Sequence, residues 1–280
     1  MSQKSYDGSP TLYLIPTPVG NMEDITMRAV NTLKEVDVLL CEDTRVTAEL
    51  LSKLGIKKKL IHSDDHTEND LKEKVLKMLE DGMNIGLVTD RGTPIISDPG
   101  YKIVEFVTNN GYNVVSLPGP TAFVPALTMS GLNPSPFLFY GFLNSKVTKR
   151  EKELENLKNL TYTIIFYESP HRIKDMLISL KKVFGDRKIA LCREISKRYE
   201  EALRGKISEI IEVVDTLKGE MVVVVEGNTT LKDFSSMTIL EHINLYLEDG
   251  MSEKEAIKKV SVERNLPKSL VYKEYHVNGK

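Results

Sequence analysis

In Leu87–Gly100, read as LVTDRGTPIISDPG, an apolar run opened by Ile85 stops at Asp90, and glycines, prolines and a second carboxylate follow within ten residues. A run of this kind reads as a buried strand that empties into a tight polar loop. In open α/β sheets ligands bind outside the carboxyl ends of the strands, which is where such a loop would lie. The same residue types also build ordinary turns. Three further strand-like runs end the same way, in Pro16–Asn21, Pro118–Thr121 and Tyr167–Pro170. Glycines there let the backbone approach a ligand closely and prolines fix the loop shape. Main-chain N–H and C=O groups offered in this way suit a nucleoside-like cofactor read by its polar edges and lying across both halves of the chain.

Other chemistries find no residues to carry them. The first strand is followed by no G-x-G-x-x-G, and there is no G-x-x-x-x-G-K-[ST] and no H-E-x-x-H, which sets aside the dinucleotide fingerprint, the P-loop and the zinc helix. Ser97 lacks the G-x-S-x-G elbow of a hydrolase. No metal is expected. Cys41 and Cys192 lack metal-ligand spacing and fall in or beside strand-like runs, so both read as buried thiols. With 38 basic against 40 acidic side chains and a net charge of −2, the chain is not a purely electrostatic nucleic-acid binder, although an enzyme acting on RNA needs only a local basic surface. No apolar run approaches the roughly 20 residues of a membrane span, and MSQKSYDGSP has no signal-peptide core, which points to the cytoplasm.

The elements that must hold these loops follow from the apolar pattern. Residues 1–10 read as a disordered leader. Strands are expected at Thr11–Ile15, Val36–Cys41, Lys59–His62, before Asp90, and at Tyr112–Leu117. Helices alternate with them, one capped by Asp24 and one opened by a Thr67–Asp70 capping box. Alternation implies parallel pairing and an α/β sheet. The second half keeps the rhythm, with strands at Pro134–Phe142, Tyr162–Phe166, Lys188–Cys192 and Met221–Val225, and a helix capped by Ser169 with Pro170 in its first turn. The expected fold class is therefore α/β: one α/β domain over 11–118, a second over 119–228, then a linker at Gly227–Ser235 within a 229–280 segment that ends in three short helices. Lys254–Lys280 holds seven basic and three acidic residues, which suits nucleic-acid contact or simply a solvated face.

Eight segments now stand in order over Leu12–Gly227: PTPVGNMEDIT, CEDTR, DRGTPIISDPG, LPGPTA, YGF, FYESPHR, CREISK and KGEMVVVVEG. Together they resemble the S-adenosylmethionine-dependent methyltransferases of the tetrapyrrole-methylase fold, and within them the enzymes that methylate a cytidine ribose 2′-oxygen in 16S rRNA. The resemblance implies two α/β domains with the cofactor in the cleft between them, a homodimer, and 16S rRNA or the assembled small ribosomal subunit as substrate. By position it implies that Pro18, Val19 and Gly20 line the cofactor on one side, that Asp90, Gly92, Thr93 and Pro94 meet its methionine and ribose portions, and that Thr121, Ala122 and Tyr167 close the second-domain side. For each, turn geometry alone is the alternative.

A ribose hydroxyl is a poor nucleophile, so a positioned base should help by about 10²–10⁴-fold. Glu168 follows a strand at a cofactor loop, and Glu42 has Arg45 one helical turn on to hold an RNA phosphate bidentately; a structural role is open for each carboxylate. Arg172, Arg193, Lys197 and Arg198 form an RNA-facing surface or a solvated one. The chain departs from the resembled pattern at Arg91, where relatives carry alanine; its guanidinium either points at RNA phosphate or pairs with Asp90 or Asp98. It departs again at Asp64-Asp65-His66, where relatives show HEH. Two other functions stay open: methylation of a tetrapyrrole precursor on the same fold, and an RNA-binding protein without catalysis.

Overall fold

The computed structural model describes residues 3, 5, 7–65, 67–229 and 237–278. Its contacts divide into two units, Met1–Asn228 and Thr229–Lys280. The first unit holds two five-stranded sheets.

In the first sheet, β1 (Thr11–Leu14), β2 (Val38–Cys41), β3 (Lys59–His62), β4 (Ile85–Val88) and β5 (Asn113–Ser116) run in the order β3-β2-β4-β1-β5. Every pairing is parallel, as the alternation with helices requires. Successive side chains of a strand point to opposite faces, and the core divides accordingly. Leu12, Leu14, Val38, Leu40, Ile85 and Leu87 pack on one face under α3 (Glu68–Glu80) and α4 (Tyr101–Asn109). Ile15, Leu39, Cys41 and Val88 pack on the other under α1 (Met27–Glu35) and α2 (Thr44–Lys53). Because β2 and β4 are buried throughout, they carry no polar side chains, and polarity begins only where each strand ends.

The second sheet belongs to the second α/β unit that the sequence leads one to expect, and it differs from the first in pairing direction. Its strands are β6 (Phe137–Phe142), β7 (Thr163–Glu168), β8 (Lys188–Arg193), β9 (Glu201–Lys206) and β10 (Met221–Val225), in the order β6-β7-β10-β8-β9. Only β6 and β7 pair in parallel; β7–β10, β10–β8 and β8–β9 are antiparallel. The unforeseen β9 is an edge strand that carries the charged residues Glu201, Arg204 and Lys206. One face packs against α6 (Val147–Leu157), α7 (Ile173–Phe184) and α8 (Ile207–Val213), and the other against α5 (Phe123–Met129). Cys41 and Cys192 are both buried free thiols.

Several local expectations move. Thr26, not Asp24, caps α1, its hydroxyl accepting from the Ala29 N–H at 3.0 Å; Asp24 instead closes a short 3-10 turn and accepts from the Ser196 hydroxyl. Thr67 makes no cap to α3, because its side chain is held in a turn by Asp64. The α7 helix begins at Ile173 rather than at Pro170, with the Ser169 carbonyl accepting from Arg172 and Ile173. Of the leader, Met1, Ser2, Lys4 and Tyr6 lie outside the described residues. Gln3 exchanges hydrogen bonds with the Val114 backbone, and Asp7 and Ser9 accept from Asn113, contacts that a wholly disordered leader would not make. Most of the expected linker, 230–235, also lies outside the described residues.

Among its described residues the second unit holds three helices, α9 (Ile239–Glu248), α10 (Glu253–Glu263) and α11 (Lys268–Asn278). Capping boxes, Thr238 with Glu241 and Ser252 with Glu255, open α9 and α10. Ile243, Tyr246, Ile257, Val260 and Val271 fill its core. Fully buried His242 accepts from Arg264 Nε at 3.0 Å, and the Tyr246 hydroxyl donates to Glu263 at 2.7 Å.

Candidate active site

In the first unit, loops from the carboxyl ends of strands in both sheets converge on one cavity of about 470 Å³. Its first wall is the loop after β4, held against the neighbouring loop after β1. Thr17 and Gly92 exchange backbone hydrogen bonds at 2.9 and 3.0 Å, and the buried Thr17 hydroxyl donates to the Thr89 carbonyl at 3.1 Å. Gly92 stands at φ +90°, a conformation open to glycine and strained for other residues. Ile95 and Ser97, neither of them glycine, also take positive φ. Strained backbone of this kind persists only where the surrounding structure enforces it. The Thr93 hydroxyl donates to the Pro120 carbonyl at 2.9 Å, fixing the β4 loop to the loop after β5.

The second wall comes from the other sheet. Thr121, Ala122, Phe142, Tyr167, Glu168, Ile195, Met221 and Val222 line it. The Tyr167 ring sits edge-on to Phe139 and Phe142, with centroids 5.0 and 5.6 Å away, and burial raises the pKa of its hydroxyl, with Thr121 and the Phe123 backbone opposing. Exposed Val46, Ile96 and Phe142 make the apolar part of the lining that faces solvent.

Four carboxylates line this cavity, those of Asp90, Asp98, Glu168 and Glu220, against one guanidinium, that of Arg91. Arg91 is ion-paired with Glu220, which precedes β10 and also takes Lys197 at 3.2 Å. The two alternatives for Arg91, pairing with Asp90 or Asp98 or pointing to phosphate, give way to a clasp between the walls. Burial raises the Asp90 pKa, and the neighbouring Asp43 carboxylate adds to this against the Asp43 backbone N–H. Burial likewise pushes Asp98 up to about 6, with Glu42 and Asp90 adding like charge and the Thr89 hydroxyl opposing. Glu168 has a fully buried carboxylate that accepts from the Ser169 N–H at 2.8 Å and meets Arg172 at 3.2 Å. Burial still raises its pKa in spite of these partners.

Of the residues expected at a cofactor, Val19, Asp90, Gly92, Thr93, Thr121, Ala122 and Tyr167 line the cavity, whereas Pro18, Gly20 and Pro94 do not. A side chain at Gly20 would run into Lys197, so that glycine is required by the approach of the 194–200 loop. Glu42 is absent from the lining; it borders a separate small void with Ser63 and Thr89. Burial and the surrounding Asp90, Asp65, Asp64 and Asp43 raise its pKa. Arg45 is exposed, and its fork is already engaged by Asp43 at 3.1 and 2.6 Å. Among the residues expected to face RNA, Arg172 holds Glu168 and the Leu143 carbonyl, and Arg193 holds Glu201 and the Lys218 carbonyl. Lys197 holds Glu194 and Glu220, and exposed Arg198 lies over Tyr199. Arg172, Arg193 and Lys197 are thus paired with carboxylates within the fold, whereas Arg198, among the described residues, meets only an aromatic ring. His66 lies outside the described residues. The sequence reading passed over Thr17 and Glu220 and treated Asp98 only as a turn residue or a partner for Arg91; for Asp98 the signal was present, a second carboxylate in the richest loop of the chain.

A family model described as Tetrapyrrole (Corrin/Porphyrin) Methylases matches residues 11–211. Over 286 aligned residues the chain is 45% identical to a Bacillus subtilis (strain 168) protein named ribosomal RNA small subunit methyltransferase I, covering 98% of each chain. A protein of the same name from Rickettsia prowazekii (strain Madrid E) is 39% identical over 88% of this chain and 89% of its own. Among solved structures, the methyltransferase CobJ superposes with a TM-score of 0.60 at 18% identity, covering 79% of this chain and 95% of its own. The uroporphyrin-III C-methyl transferase from Thermus thermophilus, complexed with S-adenyl homocysteine, gives 0.57 at 19% identity over 77% and 97%. At that identity the likeness is one of fold.

Proposed function

Because the chain belongs to the family of tetrapyrrole (corrin/porphyrin) methylases, and within it to the group named ribosomal RNA small subunit methyltransferase I, we propose that it transfers a methyl group from S-adenosylmethionine to the ribose 2′-hydroxyl of a cytidine in 16S rRNA. The observation that carries this reading is the charge of the cavity. Of the four carboxylates that line it, Glu168 is paired with Arg172 and Glu220 with Arg91 and Lys197, which leaves Asp90 and Asp98 without an ion-pair partner among the described residues, a surplus that favours a ligand bearing positive charge. When bound, S-adenosylmethionine supplies an electrophilic methyl group on a positively charged sulfur. Val19, Gly92, Thr93, Thr121, Ala122 and Tyr167 are the residues that would hold it, offering backbone groups, apolar surface and one phenol. Asp90 lines the same cavity, and its carboxylate would oppose positive charge there. Alignment and charge placement are the protein's contribution to such a transfer. The homodimer and the cytoplasmic site of action belong to the same proposal, as does RNA contact by the second unit.

The test is methyl transfer from labelled S-adenosylmethionine to small ribosomal subunits lacking the modification, followed by nucleoside analysis. The expected product is 2′-O-methylcytidine. Cofactor binding without RNA methylation, together with turnover of a tetrapyrrole precursor, would replace RNA by the other substrate class of the family. Loss of cofactor binding altogether would leave a binding protein.

A further inference from the structure

We infer that Asp98 is the group that takes the proton from the ribose hydroxyl during methyl transfer, an inference that rests on the function proposed above. The ribose oxygen bonds to the methyl carbon as the carbon–sulfur bond breaks, the sulfur keeps that electron pair and becomes a neutral thioether, and the hydroxyl proton passes to the Asp98 carboxylate and then to water.

The argument is one of position and of elimination among the carboxylates at the site. Glu168 is pinned in the wall, one oxygen accepting from the Ser169 N–H and the other 3.2 Å from the Arg172 guanidinium, so it already has a cation beside it. Glu220 is clamped between Arg91 and Lys197. Asp90 accepts from the Asp43 backbone at 3.2 Å. Glu42 faces a different void. Asp98 lines the cavity and, among the described residues, meets no cation; the Thr89 hydroxyl near it is buried and has no hydrogen-bond partner, which leaves it free to turn to that carboxylate. Its neighbours from every packed element are acidic or neutral: Glu42 after β2, Asp90 after β4 and the Tyr167 phenol on β7. The loop that carries it takes positive φ at Ile95 and Ser97, so its path is enforced rather than relaxed. Burial and like charge bring its pKa to about 6, which leaves a carboxylate at neutral pH that is a stronger base than an ordinary aspartate. Thr89 is then a positioning residue, favouring the charged form through its hydroxyl.

The experiment is single-turnover methylation of RNA between about pH 5 and 9 for the wild type, Asp98→Asn and Thr89→Val, with cofactor affinity measured by calorimetry and carboxyl titration of the substrate-free protein followed by ¹³C NMR. In the wild type the rate is expected to rise about tenfold per pH unit below pH ~6 and to level off above it. Asp98→Asn should lower the rate by about 10²–10⁴-fold, abolish that limb, and leave cofactor affinity within about threefold. The NMR titration should show one carboxyl with a midpoint near 6 that is missing in Asp98→Asn. Thr89→Val should move the limb and the NMR midpoint upward together; if Asp98→Asn fails to fold, this pair of shifts decides, and their absence overturns the inference. A rate for Asp98→Asn within about threefold of wild type overturns it as well. So does a loss of cofactor affinity as large as the loss of rate, which would make Asp98 a cofactor ligand. Nucleoside analysis separates the failures: a wild type that makes no 2′-O-methylated nucleoside overturns the reading beneath, whereas that product with an unaffected Asp98→Asn overturns Asp98 alone.

Discussion

The two walls of the cavity treat their carboxylates in opposite ways. On the wall built by the parallel sheet, Asp90 and Asp98 are desolvated, set near one another and near Glu42, and without an ion-pair partner among the described residues. On the wall built by the mixed sheet, Glu168 and Glu220 are each held by arginine or lysine. The difference follows from the strands. A fully parallel sheet delivers β1 and β4 with their carboxyl ends side by side, so their polar loops collect at one edge. The antiparallel pairings of β7 with β10 and of β10 with β8 place Glu168 opposite Met221 and Arg193 opposite Met221, bringing charged strand ends of both signs together. One wall stores unbalanced charge that chemistry can use, and the other is the frame that closes on it.

The largest effect on the framing wall should come from Glu168→Ala, which strips Arg172 and the Ser169 N–H of a buried acceptor. Although burial raises the Glu168 pKa even with its partners in place, removing one member of a buried pair leaves the other uncompensated. The expected loss is about 2–3 kcal/mol, under the roughly 3–5 kcal/mol usual for a fully buried pair because Arg172 is partly exposed; urea denaturation measures it, and a loss under about 0.5 kcal/mol would mean that the pair does not frame the site.

On the other wall the sign reverses. The Asp98 pKa is raised in the folded chain from 3.8 to about 6, so between those values the folded protein keeps a proton that the unfolded chain releases. Stability therefore falls as pH climbs through that window. Asp98→Asn removes this loss and should stabilise the protein by about 1–2 kcal/mol near pH 7.5, a figure reduced for the partial exposure of the side chain. Below pH ~4 the gain should vanish. Thermal melts at the two pH values test it. A stabilised variant that has lost its rate would show the exchange of stability for function expected of an active site.

The smallest effect belongs to the clasp between the walls. Arg91 and Glu220 are 52% and 63% exposed, so Arg91→Ala should change stability by less than about 1 kcal/mol, with the difference shrinking as salt rises. A larger, salt-insensitive change in the denaturation midpoint would make the clasp part of the frame.

Much of this architecture was legible from the amino-acid order. Apolar runs such as Leu39–Cys41 and Ile85–Val88 have only one economical fate, a buried strand, and the polar break after each marks a loop at the sheet edge. Lys59–His62 and Met221–Val225 carry the observed bounds in the sequence itself. Pairing direction and charge partnership were not legible. Nothing in EALRGK announces β9, because an edge strand half open to water needs no apolar face. Neither could the sequence place Glu220 against Arg91, Arg172 against Glu168, or Glu42 outside the main cavity, since each depends on contacts between segments distant in the chain or on where a loop turns. The sequence by itself determined every strand but β9, the loops and the residue types gathered at their ends, because burial of apolar side chains is a local pattern. Only the tertiary structure decided which carboxylates are neutralised and which are left desolvated at the cavity, because electrostatic energy depends on distance and burial in space, not on spacing along the chain.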